Sequence, residues 1–361
     1  MRRRPAARRV AARRVAARRV AARRVARQSK ISSLNVGNNH IVGDGADFLA
    51  KMVLKSASLT DFCGISLVSL RENSVTELDL SKEGIGVPGA IVLSSLMPAA
   101  LKSLNISGNE LGVEGAKVIA DLLETNTTLT SIDLASNQLI GIWGNDMSGM
   151  IKLCEALPQS KITSLNLRYN ELGEEGAKHI AKMLEVNKTL TSVNICGSKT
   201  LGVESAKIIA DLLETNTTLT SIDLDGHPLE VMKLRGTESV ESIDLSSKRL
   251  TAVSGIVIAS LISSNSATKS LNLASNELTR LTNRGNDMSA VIKLSEALPQ
   301  SKITSLNLDN NSLEAEGAQI VVDLLKTNTT LTSVGLRENH FGGLEKEQLR
   351  EAAGDRIKID L

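Results

Sequence analysis

The sequence predicts an α/β solenoid, a parallel sheet backed by helices, and three observations point to it. Inward Leu, Ile or Val residues followed by a polar Asn recur from Leu34 to Phe341, with a modal spacing of 28 residues. Aromatic residues are scarce, with 1 Trp, 1 Tyr and 3 Phe in 361 residues, too few to fill the two or three separate cores that this length would otherwise suggest. Near-identical stretches also return within the chain: Leu111–Leu134 matches Leu201–Leu224 except at Gly115/Ser205 and Val118/Ile208. Stacked repeats around a Leu/Ile/Val/Ala core satisfy all three.

In chain order, the first 30 residues stand apart. They hold 12 Arg and Lys30 with no acid, a charge of +13, whereas the remainder carries 29 basic against 40 acidic side chains, a net of −11. A basic tail precedes an acidic body, and the near-neutral total describes neither. Residues 6–25 are four copies of Ala-Ala-Arg-Arg-Val. A five-residue period advances about 140° per copy on a helix, so Val10, Val15, Val20 and Val25 scatter around the axis and no amphipathic face forms. The expectation for residues 1–30 is a disordered, low-complexity tail; its Arg pairs leave organelle targeting and weak nucleic-acid phosphate binding open as alternatives. No hydrophobic segment follows Met1-Arg2-Arg3-Arg4, so a secretory signal is not expected. The longest apolar run, Gly255–Ile262, falls far short of the roughly 18–20 residues that cross a bilayer.

The solenoid is expected over 31–361, with 31–100 as irregular first repeats. Leu104-x-Ile106-x-x-Asn109-x-Leu111 sets the frame, which returns at Ile132, Leu165, Leu271, Leu306 and Val334. Degenerate copies start at Leu34, Phe62, Leu78, Val193, Ile222 and Ile243. On a strand predicted over Ser103–Ser107, alternate residues Leu104 and Ile106 point inward. A helix predicted over Val113–Glu124 places Ala116, Ile119, Ala120 and Leu123 on one buried stripe, with Asn126 as a left-handed terminator. The Asn column (Asn39, Asn109, Asn137, Asn170, Asn276, Asn311 and Asn339) is predicted to turn inward and pair backbone groups that burial would otherwise make costly. Glu83, Ser198, His227 and Lys248 break that column. The spacing from Ile222 to Ile243 is only 21 residues, too few for a full helix, so regular curvature is expected to fail between about 196 and 250. Residues 337–361 read as a C-terminal cap, a helix over Leu344–Ala353 and a last strand on which Ile357, Ile359 and Leu361 alternate.

This Leu/Asn frame resembles the leucine-rich-repeat family, specifically the long subtype seen in ribonuclease inhibitor, over about residues 31–361. The resemblance implies a right-handed horseshoe with the parallel sheet inside and helices outside. It further implies a non-catalytic scaffold that binds a protein on its concave face. The Ran GTPase-activating protein shares the subtype and supplies the alternative, a GTPase-activating, cytoskeletal or flagellar regulator, with Arg168 or Arg337 in a transition-state role. Neither arginine lies in a motif that aligns with that family.

Beside the inward strand positions, a Ser column (Ser103, Ser131, Ser164 and equivalents) and an Asn/Asp column (Asn105, Asp133, Asn166 and equivalents) are predicted to line the concave face. No His accompanies the serines, so packing rather than nucleophilic chemistry is expected of them. A third column varies (Arg168, Cys196, Asp225, Asp309 and Arg337 among smaller residues) and is where contacts to a protein partner are expected. Asp223, Asp225 and Asp244 are expected to lie together, because neighbouring strands are about 4.8 Å apart, and to favour a basic partner. Tyr169 beside Arg168, and Trp143 in the longer loop Ile140–Met147, are the candidate aromatic anchors. The four histidines sit on separate coils without metal-ligand spacing, and no phosphate-cradling Gly loop occurs, so no metal, cofactor or catalytic residue is expected. Cys63, Cys154 and Cys196, odd in number and far apart, fit a reducing compartment. The sequence thus points to a monomeric, cytoplasmic, non-enzymatic scaffold that binds a protein and no membrane, with no nucleic-acid role for its body.

Overall fold

The computed structural model describes residues 31–141, 145–197, 201–281 and 286–361. The strands are β1 (Ser33–Leu34), β2 (Asp61–Phe62), β3 (Ile65–Ser66), β4 (Glu77–Asp79), β5 (Ser103–Asn105), β6 (Ser131–Asp133), β7 (Ser164–Asn166), β8 (Ser192–Asn194), β9 (Ser221–Asp223), β10 (Pro228–Glu230), β11 (Ser242–Asp244), β12 (Ser270–Asn272), β13 (Ser305–Asn307), β14 (Ser333–Gly335) and β15 (Lys358–Asp360). Between them run α1 (Gly43–Lys55), α2 (Leu67–Glu72), α3 (Gly86–Leu96), α4 (Gly112–Thr125), α5 (Ser148–Ala156), α6 (Gly173–Val186), α7 (Val203–Thr215), α8 (Val231–Arg235), α9 (Ala252–Ser263), α10 (Ser289–Ala297), α11 (Glu314–Thr327) and α12 (Gly343–Ala353). Strands and helices form two layers around one continuous apolar core, an α/β solenoid.

The strands are shorter than the sequence suggests. β5 stops at Asn105 because the Asn/Asp column turns back on the backbone: Asn105 Oδ1 accepts the Ser107 N–H at 3.1 Å, and Asp133, Asn166 and Asn194 do the same two residues on. Each such turn ends its strand after three residues and ties up one oxygen of a column that the sequence alone presents as free surface. On α4 the expected stripe is buried, together with Gly115 and Leu122. Asn126 is not left-handed. It has extended backbone, φ −78° and ψ 128°, and its Oδ1 accepts from Thr128 N–H and Leu129 N–H at 3.0 and 2.7 Å, turning the chain into the next strand. The Gly115/Ser205 difference between the duplicated helices matters locally. A Cβ at 115 would lie 2.6 Å from Leu111 Cβ. Where Ser205 carries one, the helix starts only at Val203 and Gly202 is extended, whereas Gly112 begins α4 at φ +60°.

The buried Asn ladder forms as expected. Asn137 Nδ2 donates to Ile106 and Ala135 carbonyls at 2.9 and 3.1 Å, while its Oδ1 accepts from Asn109 N–H at 2.9 Å. Asn39, at the N-terminal edge, is exposed and bonds only Val36 and Gly37 within its own coil. A second ladder was not read from the sequence. Thr130, Thr163, Thr191 and Thr220 each donate Oγ1–H to a carbonyl of the preceding coil at 3.0–3.2 Å.

The lining sheet is not one parallel array. Among the described residues three sheets occur, β1-β2-β3, β4 to β10, and β11 to β15. Two antiparallel returns, β2–β3 and β9–β10, end the first and second. Each return leads into a short helix, α2 or α8, capped by a left-handed residue, Asn73 or Gly236. An arginine then fills the place of a full coil: Arg71 donates to the Ser56 and Leu59 carbonyls, and Arg235 to the Leu213 and Asn216 carbonyls. Arg356 repeats the device at the C-terminal end on Leu325 and Leu331. These cations satisfy carbonyls at and just beyond helix ends that would otherwise lack donors. The helix layer bridges both breaks, α1 packing on α3 and α7 on α9. The expected irregularity near 196–250 is thus a sheet break between β10 and β11.

Candidate functional site

The sheet exposes one helix-free face, and its most varied ground is at the exits of β7, β8 and β9. Tyr169 occupies the turn position before Asn170 with φ +56°, a conformation that bulky residues rarely adopt. That geometry throws its ring over Gly197 of the next coil, where any Cβ would lie 2.2 Å from ring atoms. Arg168 stacks on the same ring at 4.5 Å and donates from Nη2 to the phenol oxygen at 2.8 Å. The result is a held aromatic, half exposed at 50%.

Two strands away on β9, Asp223 is nearly buried. Its Oδ1 accepts the Gly226 N–H at 2.6 Å and its Oδ2 accepts from Asn194 Nδ2 at 2.9 Å. Burial raises its carboxyl, against the opposing pull of the Gly226 N–H and of Arg168. His227, at the hairpin turn, is held below its ordinary value by burial and then by Lys248. Cys196 completes the floor; burial first, then Asp223, lifts its thiol to about 11, while burial takes Cys154 to about 12.

Raised thiols carry a stability consequence. The unfolded thiols ionise near the ordinary 9.0 and the folded ones only near 11 to 12, so the stabilisation is complete below pH 9 and is lost as pH climbs from there. Urea midpoints between pH 7 and 10.5 are expected to fall, and less steeply in a Cys154→Ala/Cys196→Ala variant. Parallel pH profiles would show that other groups control the alkaline limb.

The structure brings together only part of the predicted set. Arg168, Tyr169, Asp223 and Asp225 converge. Asp244 does not join them, because β10 occupies the far edge of β9 and β11 opens a separate sheet, so the expected strand-to-strand neighbour is absent. Asp244 instead accepts from Ser246 N–H and Oγ–H. Asp225 is committed across the sheet break, accepting from Thr251 N–H at 2.8 Å and from its hydroxyl at 2.9 Å. Asp309 and Arg337 lie far off at the C-terminal end, Asp309 accepting the Arg337 N–H at 2.7 Å and Arg337 pairing with Asp360 at 3.4 Å. Trp143 lies outside the described residues, as do Ser198 and the tail. Gly197 and His227 were not foreseen as members of the site. The signal was present in the third column, where Arg168, Cys196 and Asp225 replace small residues in three successive coils. Among the described residues, no three His, Cys, Asp or Glu side chains are placed to hold a metal ion.

A family model for the leucine-rich repeat matches residues 100–120, 125–141 and 159–181. With the alternating strands and helices described above, the match fits the fold of a leucine-rich-repeat solenoid. Among solved structures it is similar to the leucine-rich repeat-containing protein LegL7 from Legionella pneumophila, at 20% identity and TM-score 0.36 over 91% of this chain and 89% of that one. Leiomodin-1 actin-binding site 2 is similar at 20% identity and TM-score 0.26, over 51% of this chain and 86% of that one. TLR13, solved as a complex with ssRNA13, is similar at 16% identity and TM-score 0.32 over 78% of this chain and 29% of that one. At these scores none of the three bears on what this chain binds. The sequence matches no curated protein.

Proposed function

We propose that this protein is a non-catalytic scaffold that docks a protein partner on the helix-free face of its sheet, centred on Tyr169. The observation that carries the reading is the presented ring. Its backbone strain, the bare Gly197 beneath it and the Arg168 clamp all hold an aromatic half in solvent, where burial by a partner would return binding energy at little ordering cost. Asp223 and Asp225, two coils on from the ring, favour a partner that brings a basic side chain. Arg168 and Arg337 are both engaged by neighbouring side chains, which favours binding over a GTPase-activating role. Asp309 and Arg337 form a second, separate contact, and Asp244 a peripheral one. Buried, unpaired Cys63, Cys154 and Cys196 fit a monomer working in a reducing, cytoplasmic setting. No described helix is long and apolar enough to cross a membrane.

A photo-crosslinking residue at position 169 is expected to capture a partner in cell extract that the same residue at Lys182, on a helix, does not. Capture should weaken as salt rises. Equal capture from both positions would remove the sheet face as the interface. Hydrolysis by a panel of small GTPases should be unchanged by the protein; an acceleration lost in Arg168→Ala would replace this reading with the regulatory one.

A further inference from the structure

A cavity of about 230 Å³ lies between the segment 36–42, which leaves β1, and the turns that follow β4 and β5. The segment runs through two left-handed residues, Asn38 and His40, and is pinned to the coil that β5 opens. His40 Nδ1 sits 3.3 Å from Glu110 Oε2, and the Gly43 N–H donates to Glu114 Oε2 at 2.7 Å, so Glu114 caps the otherwise uncapped start of α1. Walls of Ile41, Ile85, Pro88, Leu111 and Val113 enclose the space, and Glu110 and Glu114 both line it, each with its Oε1 outside the pinning contacts.

Size and chemistry restrict the occupant. Pockets for drug-sized ligands run to roughly 300–1,000 Å³, so this one holds a single long side chain rather than a cofactor. An aliphatic wall ending in carboxylates matches an arginine, whose stem is apolar and whose planar guanidinium forks onto carboxylate oxygens. The chain itself supplies such residues next door: Arg23, Arg24 and Arg27 precede Ile31 in a segment of charge +13 that lies outside the described residues. Measured from Ile31, where the described chain begins, extended chain reaches back at most about 14 Å to Arg27, about 25 Å to Arg24 and about 28 Å to Arg23.

We propose that this cavity is an arginine-binding site that takes, in cis, one side chain of Arg23, Arg24 or Arg27, laying the basic segment along the first coils. The site then sets where the tail lies relative to the acidic sheet face, and a partner bearing a free arginine would compete for it. The proposal does not depend on docking at Tyr169.

Trypsin provides the test, because it must seat the arginine side chain in its own pocket before it cleaves. In the full chain at low salt, intact-mass analysis is expected to show cleavage after one of Arg23, Arg24 and Arg27 at least tenfold slower than after Arg13 or Arg14. Protection should vanish in Glu110→Gln/Glu114→Gln, which keeps an acceptor for the Gly43 N–H, and in 0.5 M NaCl; an unchanged melting temperature confirms that the variant is folded. Free Nα-acetyl-arginine amide at millimolar concentration should also release the bond. Uniform cleavage along residues 1–30, or protection that survives the double variant, overturns the proposal. Arginine amide that shifts the His40 NMR resonances while every tail bond cleaves at the same rate would assign the cavity to an arginine from another chain, against the cis site proposed.

Discussion

Leu167→Asp is expected to unfold the solenoid or bring it to the edge of unfolding. The Leu167 side chain is fully buried at the inward position after β7, between Leu134 and Ile195 of the adjacent coils, which are equally buried. Its backbone is committed as well, the N–H donating to the Asn194 carbonyl at 2.8 Å and the carbonyl accepting from Asn170 Nδ2 at 2.9 Å. The side chain therefore has no route to solvent without parting two coils. A carboxylate there loses its hydration, finds no cation and gives up the packing of the leucine, a combined cost of roughly 4 kcal/mol or more against total stabilities of about 5–15 kcal/mol. Urea denaturation of Leu167→Met, expected to cost less than about 1.5 kcal/mol, separates charge burial from simple repacking. An unchanged midpoint in Leu167→Asp would show that residue 167 does not face the core.

Asn137→Ala should be nearly as damaging for a different reason. The carboxamide is fully buried and ties two coils together: it donates to Ile106 and Ala135 carbonyls and accepts from Asn109 N–H at 2.9 Å, with Leu111 N–H at the limit of bonding at 3.5 Å. Truncation leaves an orphaned donor and two under-satisfied acceptors where water does not reach. At about 1–3 kcal/mol for each group left unpaired, the expected loss is roughly 3–5 kcal/mol. Asn39→Ala is the internal control, since that carboxamide is exposed and bonds only its own coil. It should cost less than about 1 kcal/mol. Equal losses at both sites would mean that the ladder does not support the stack.

Periodicity is legible because burial acts on every coil alike. Leu104, Ile132, Leu165, Val193 and Ile222 all had to be apolar for the same reason, so the repeat, its register and the stripe on α4 could be read before any coordinates. Departures from the repeat were visible as well, the short Ile222–Ile243 spacing among them. What replaced the missing coil was not visible. A parallel continuation, an open loop and an antiparallel return all fit 21 residues, and the choice of β10 depends on the left-handed turn at Gly226 and on Arg235 reaching the end of α7.

The candidate site shows the same division at finer scale. The sequence alone determined that this chain is a stack of leucine-rich coils, which residues face the core, where the stack becomes irregular, and that Arg168 and Tyr169 stand out from a uniform small-residue face. Only the tertiary structure decided that Tyr169 lies on Gly197 under an Arg168 clamp, that Asp225 is tied to Thr251, and that Asp244 belongs to another sheet. The physical reason is the range of the forces involved. Hydrophobic burial is nondirectional and repeats with the coil, so it leaves a periodic trace in sequence. Hydrogen bonds and ring contacts between coils depend on ångström placement of groups far apart in the chain, and one antiparallel strand is enough to change which carboxylates are neighbours.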